Sequence, residues 1–183
     1  MEIRIGTKQI LLLLNILSWI TFIAVCVEAG GIMFNAAYVL YKPDVAKYFW
    51  NGADLSALIA HDRGQFMTLA IMMTIVAVLK TIIFYLIIKT FYDGKFNMQR
   101  PFNTDLTKLV FSIAWLCFGA GLFSSWGVKY TAWIERQGIP MPDIHVLRIG
   151  GADVWLFMAV VLLVIGQIFK KGIELQTEGD LTV

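Results

Sequence analysis

The sequence predicts an all-α integral membrane protein, a four-transmembrane-helix bundle with both termini cytoplasmic. Residues 66–88 hold 23 residues and one charge, Lys80. At about 1.5 Å per residue such a helix reaches roughly 35 Å, enough to cross a hydrocarbon core of about 30 Å. Three further segments resemble it, and none shows the polar face that a helix on a soluble domain must turn to water. Composition agrees: 58% of residues are hydrophobic and 15% charged, with a mean hydropathy of +0.72, against about 25% charged in ordinary soluble domains. The 183 residues make one membrane domain, 1–183, with no room for a separate soluble enzyme domain.

Arg4 and Lys8 precede an apolar run over 10–27. Val27-Glu28-Ala29 before Gly30 offers a small-residue cleavage pattern, but a run of about 18 residues exceeds a usual leader core. An uncleaved helix over about 9–29 is expected, continuing toward Leu40 as it leaves the membrane. The first outer loop takes 30–65. Its Tyr41, Tyr48, Phe49 and Trp50 suit the headgroup layer, which accommodates an apolar ring and a polar tip together. Part of this loop is expected to form a short surface helix.

The second spanning helix covers 66–88. A cytoplasmic loop over 89–105 carries a turn signal at Asp93-Gly94 and, beyond Pro101, a helix start at Asn103-Thr104. The third helix takes 106–126. The second outer loop, 127–151, is broken by Pro140, Pro142 and Gly150-Gly151. The fourth helix takes 152–169, and 170–183 form a cytoplasmic tail.

Basic residues set the expected orientation. Eight Lys and Arg flank the helices at the termini and middle loop (Arg4, Lys8, Lys89, Lys95, Arg100, Lys108, Lys170 and Lys171), against six in the other loops (Lys42, Lys47, Arg63, Lys129, Arg136 and Arg148). Positive residues stay in the cytoplasm, so the termini are expected inside.

Packing faces are legible in two helices. Ala114, Cys117, Ala120, Gly121, Ser124 and Ser125 recur at three- and four-residue spacing, which lets a second helix approach closely. Phe111, Trp115, Phe118, Leu122 and Trp126 are expected on the opposite side. The small face is expected to point into the bundle, with a homo-oligomer contact as its competing use. Asn15, Ser18 and Thr21 repeat every third residue and are expected to hydrogen-bond to a neighbouring helix.

Candidate chemistry is sparse. An intramembrane cation costs about 2.5–3.5 kcal/mol on insertion scales, which marks Lys80 as a candidate polar site with Thr74 and Thr81 on the same helix. The blander expectation is that Lys80 reaches along its stem toward the cytoplasmic headgroups. Glu28 and Asp153, with Lys129 and Arg148, could meet near the outer ends of the helices, as interfacial salt bridges or in a wet vestibule. His61-Asp62 and Asp143-Ile144-His145 have no recognised metal spacing, so exposed loop residues are expected and no metal or cofactor is assigned. Cys26 and Cys117, inside apolar segments, describe no disulfide framework. Phosphate-loop, GxSxG and HExxH motifs are absent, as is any basic, aromatic-interleaved nucleic-acid patch, so no enzyme and no direct nucleic-acid binding are expected.

The tail Gly172-Ile173-Glu174-Leu175-Gln176, then Glu178, then Asp180-Leu181-Thr182-Val183, resembles the closing motif of a bacterial membrane family, domain of unknown function 2975. Residues 96–102 resemble the family's middle loop. The resemblance implies four membrane helices, a short cytoplasmic middle loop and a place in the bacterial inner membrane. It also implies a membrane partner for a small helix-turn-helix regulator, and no catalytic residue. Two functions are then open. In the first, the protein is a binding and regulatory protein whose cytoplasmic loop and tail (Lys95, Arg100, Lys108, Glu174, Glu178 and Asp180) hold a soluble partner. In the second, it is a small-solute transporter or channel subunit acting as an oligomer. Gly172 is expected to release the tail from the last helix, so that it can dock on the basic middle loop.

Overall fold

The computed structural model describes residues 7–93 and 103–180, with side chains over 9–93 and 103–178. Helix α1 spans Thr7–Tyr41, α2 Ser56–His61, α3 Arg63–Tyr92, α4 Thr104–Arg136 and α5 Ala152–Asp180. No strand occurs among the described residues. Four helices, α1, α3, α4 and α5, are long and apolar enough to cross a membrane.

These helices outrun the segments that hydropathy marks. α1 continues past residue 29 to Tyr41, in line with its expected continuation toward Leu40, whereas α4 runs past 126 to Arg136 and replaces part of an expected loop. Gly172 does not release the chain, because α5 runs on to Asp180. A glycine inside a helix costs only about 0.5–1 kcal/mol relative to alanine. Here the turn is also stitched by Lys171 and Glu174, 3.1 Å apart, an arrangement that supports a helix. At the helix starts, Asp62 accepts from the backbone N–H of Gln65 and Asn103 from that of Leu106, each at 2.7 Å, closing donors that a first turn leaves open.

The long helices pack serially and antiparallel. α1 lies on α3, α3 on α4 and α4 on α5, while no Cα of α1 comes within 8 Å of one in α4 or α5 among the described residues. The arrangement is an open row of four helices, an order of contacts that the expected four-helix bundle left unspecified. In α1 the inward stripe is Leu11, Ser18, Phe22, Val25, Ala29, Ile32, Ala36 and Val39, with Leu12, Leu13, Leu17, Ile20 and Phe34 exposed. From Ser18 onward, alternating steps of four and three residues place such a stripe along one seam with a partner helix. Ser18 and Thr21 spend their hydroxyls on the carbonyls of Leu14 and Leu17 in their own helix. They make no interhelical bond, because an i−4 carbonyl is the nearest acceptor for a Ser or Thr on a helix.

On α4, Ala114, Cys117, Ala120, Gly121 and Ser124 are buried and Ser125 is half-buried. Cys117 meets Ile83 of α3 and Ala159 of α5, which seats the small face between two neighbours. Trp115, Phe118 and Trp126 are exposed. Phe111 departs from that outer group, because its ring covers Gly166 of α5. A Cβ on Gly121 would sit 2.7 Å from Leu156 Cγ and 3.2 Å from its backbone N. Gly121→Val is therefore expected to force α4 and α5 apart and cost about 1–3 kcal/mol, the range for overpacking. Denaturation in detergent, with Ser125→Val as the permissive control, measures it.

The extra helix length builds a second core at the loop end. Two 3₁₀ turns, Pro43–Tyr48 and Trp50–Gly52, and the short α2 fold back over α1 and α3. Ile32, Val39, Phe49, Leu58, Phe66, Leu69, Ile134 and Leu147 bury one another there. Phe49 and Phe66 meet edge to face at 5.9 Å. The Trp50 indole lies directly over Gly31, where any Cβ would overlap the ring.

Candidate functional site: an ion cluster inside the helix row

Lys80 sits midway along α3 and Glu28 on the facing stretch of α1. Lys80 Nζ donates to Glu28 Oε1 at 3.2 Å and to the backbone carbonyl of Arg148 at 3.4 Å. Both side chains are largely buried, 17% and 15% exposed. The expectation that Lys80 stretches to the cytoplasmic headgroups is thereby corrected. A lone carboxylate at its own level offers a short, charge-assisted bond, and an ammonium in an apolar setting gains more from that than from reaching for distant water.

Arg148 completes the cluster from the connection between α4 and α5. Its Nε lies 3.8 Å from Glu28 Oε2, and its side chain remains 49% exposed. The Asn51 amide oxygen, in the orientation its neighbours favour, takes Arg148 Nε and Nη2, each at 3.2 Å. Arg148 and Asn51 are the non-glycine residues in the left-handed region among those described, with φ of +60° and +58°. That conformation costs an L-residue about 1–2 kcal/mol, less for Asn, and persists only where surrounding contacts impose it. Those contacts are at hand: the Ser124 hydroxyl donates to the Ile149 carbonyl, and the Ile149 side chain packs on Gly127. Irregular backbone is thus held against the helix row at two successive carbonyls, those of Arg148 and Ile149.

Other candidates are placed differently. Glu28 and Arg148 come together, but Asp153 and Lys129 are exposed and no ion pair among the described residues joins them to the cluster. Thr74 bonds the Ala70 carbonyl; Thr81 bonds those of Ala77 and, across to α1, Val25 at 3.3 Å. His61 and His145 are exposed, and among the described residues no three His, Cys, Asp or Glu gather to hold a metal ion. Asp62 serves as a helix cap, and Asp143 accepts from the His145 backbone N–H. Cys26 and Cys117 are free thiols. In the first loop-end connection, the Ser56 hydroxyl and then its N–H hold the Asp54 carboxyl below the usual carboxylate range.

The docking candidates lie at the other end. Lys95 and Arg100 fall outside the described residues, as does the Asp180 side chain. Lys108, Glu174 and Glu178 are exposed, and Glu174 pairs with Lys171 of its own helix.

Lys80 and Glu28 as partners left a signal in the sequence: each is a solitary charge of opposite sign in an otherwise apolar run. Asn51 left none, because its role depends on a turn folding back along α1. The cluster holds two cations to one carboxylate and no nucleophile with an adjacent base, so its chemistry is electrostatic.

Among the described residues four helices are long and apolar enough to cross a membrane, the make-up of a multi-pass membrane protein. Residues 41–183 match the family described as protein of unknown function DUF2975, and the chain belongs to that family. No curated protein and no solved structure matches it.

Proposed function

We propose that the protein is a non-enzymatic binding and regulatory protein of the bacterial inner membrane. In this reading both termini are cytoplasmic, and the 89–105 connection and α5 tail engage a soluble partner such as a small helix-turn-helix regulator. One observation carries it. The register set by Phe111 over Gly166 and Gly121 against Leu156 takes α5 past the start of α4 at about Ile173. The protruding turns present Leu175, 58% exposed, beside Glu174 and Glu178. A helix end with an apolar face and acidic flanks suits a protein groove better than an anionic leaflet, which repels acidic side chains.

The transporter reading has less support. Thr74 and Thr81 spend their hydroxyls on backbone carbonyls, and Lys80 is held by Glu28. Pull-down by the intact protein tests the first reading. Leu175→Asp with Glu178→Lys is expected to lower partner capture about tenfold or more, as loss of a central anchor does. Capture unchanged after deletion of both 94–102 and 173–183 would reject these segments as the docking site.

A further inference from the structure

We propose that the cluster at Arg148 and Lys80 is a binding site for a singly charged oxyanion of the phosphate type. The first ground is charge. Among the described residues, Glu28 is the one acid within 4 Å of either cation, so two positive charges face one negative. A partly buried charge without a counter-ion is costly, and such groups are normally compensated. One monoanion would balance the cluster.

The second ground is the way Arg148 is held. Asn51 occupies Nε and one hydrogen of Nη2, and Glu28 stands beside Nε. The Nη1 edge has no hydrogen-bond partner among the described residues, and the side chain as a whole is 49% exposed. A guanidinium fixed along one edge presents its other edge as a fork of two parallel donors, the geometry that matches two oxygens of a phosphate. Lys80, 17% exposed and held by Glu28 and the Arg148 carbonyl, adds a positive charge to the cluster without sharing that contact directly.

The third ground is that the placement is imposed. Arg148 keeps a left-handed backbone, with its own carbonyl tied to Lys80 and the next to Ser124. A surface arginine serving only solubility needs none of this, and strain of this kind gathers where a side chain must be aimed. A lipid phosphodiester and free phosphate share the required chemistry. The site lies on the loop side of the row, away from the α5 tail, so this proposal stands or falls apart from partner binding.

The test uses the full chain in an uncharged detergent, with tryptophan fluorescence reporting thermal unfolding. Phosphatidylglycerol, inorganic phosphate and diacylglycerol, which has the same tails without phosphate, are titrated separately. Phosphatidylglycerol or phosphate is expected to raise the melting temperature, and which of them does so names the source; diacylglycerol is not. Arg148→Gln is expected to weaken the response at least tenfold and Arg148→Lys by less, since it keeps the charge but not the fork. Glu28→Gln removes the internal competitor and is expected to respond at about a tenfold lower concentration, the effect of a charge removed at close range. No response to either phosphate compound, an equal response to diacylglycerol, a wild-type response in Arg148→Gln, or no tightening in Glu28→Gln overturns the proposal. Should Arg148→Gln fail to fold, a wild-type response in Arg148→Lys does so in its place.

Discussion

Glu28→Leu is expected to destabilise the protein by about 3–5 kcal/mol, the cost of leaving the partner of a buried pair charged and alone. Lys80 would keep only the Arg148 carbonyl at 3.4 Å in a setting where its side chain is 17% exposed. Lys80→Met should cost clearly less, because Glu28 keeps Arg148 at 3.8 Å and the methionine stem fills most of the lysine's volume. The double variant Glu28→Leu with Lys80→Met should recover most of the loss, since apolar replacement of a whole buried pair is often close to neutral. Reversible unfolding in mixed micelles gives the cycle. Additive single effects, with no recovery in the double variant, would mean that the two residues do not act as a pair.

Phe66→Ala carries the next largest expected effect, about 3–5 kcal/mol, the usual range for deleting a buried phenylalanine. Phe66 is fully buried at the start of α3 and meets Phe49 edge to face, a contact that adds to area burial. Its loss should release the first loop-end connection from the helices before the helices themselves separate. Proteolysis between residues 42 and 62 should therefore quicken sharply while tryptophan fluorescence still reports a folded row. Phe34→Ala, at an exposed position of α1, should alter neither readout by more than about 0.5 kcal/mol. Equal proteolysis in the two variants would show that the loop-end core does not hold the connection.

The spanning helices were legible because an apolar run of membrane length has few other uses, as at 66–88. Their ends were not. Ile32, Val39 and Ile134 are apolar for a different reason, burial in the loop-end core, and hydropathy cannot separate that demand from lipid exposure. The small face of α4 could be read from spacing alone, since a helix fixes which residues share a side. Which neighbour it meets could not, and Phe111 shows why: a large ring belongs wherever the facing residue is small, here Gly166. At the ion cluster, the solitary charges Glu28 and Lys80 were visible as oddities. Their pairing depends on the α1–α3 register, and the part played by Arg148 depends on a left-handed backbone that an arginine does not advertise.

The open row bears on how the chain is made. Each long helix packs on the long helix synthesised just before it: α3 on α1, α4 on α3, and α5 on α4. Within the row no early helix waits for a late one to close a ring, so helix-on-helix packing pairs neighbours in sequence. The long-range closure is left to the loop-end core, where Ile32 and Val39 meet Ile134 and Leu147. The ion pair follows the same order, with its α1 carboxylate in place before the α3 ammonium arrives. Arg148 comes later, on the connection leading into α5, and reaches a site whose first two charges have already met.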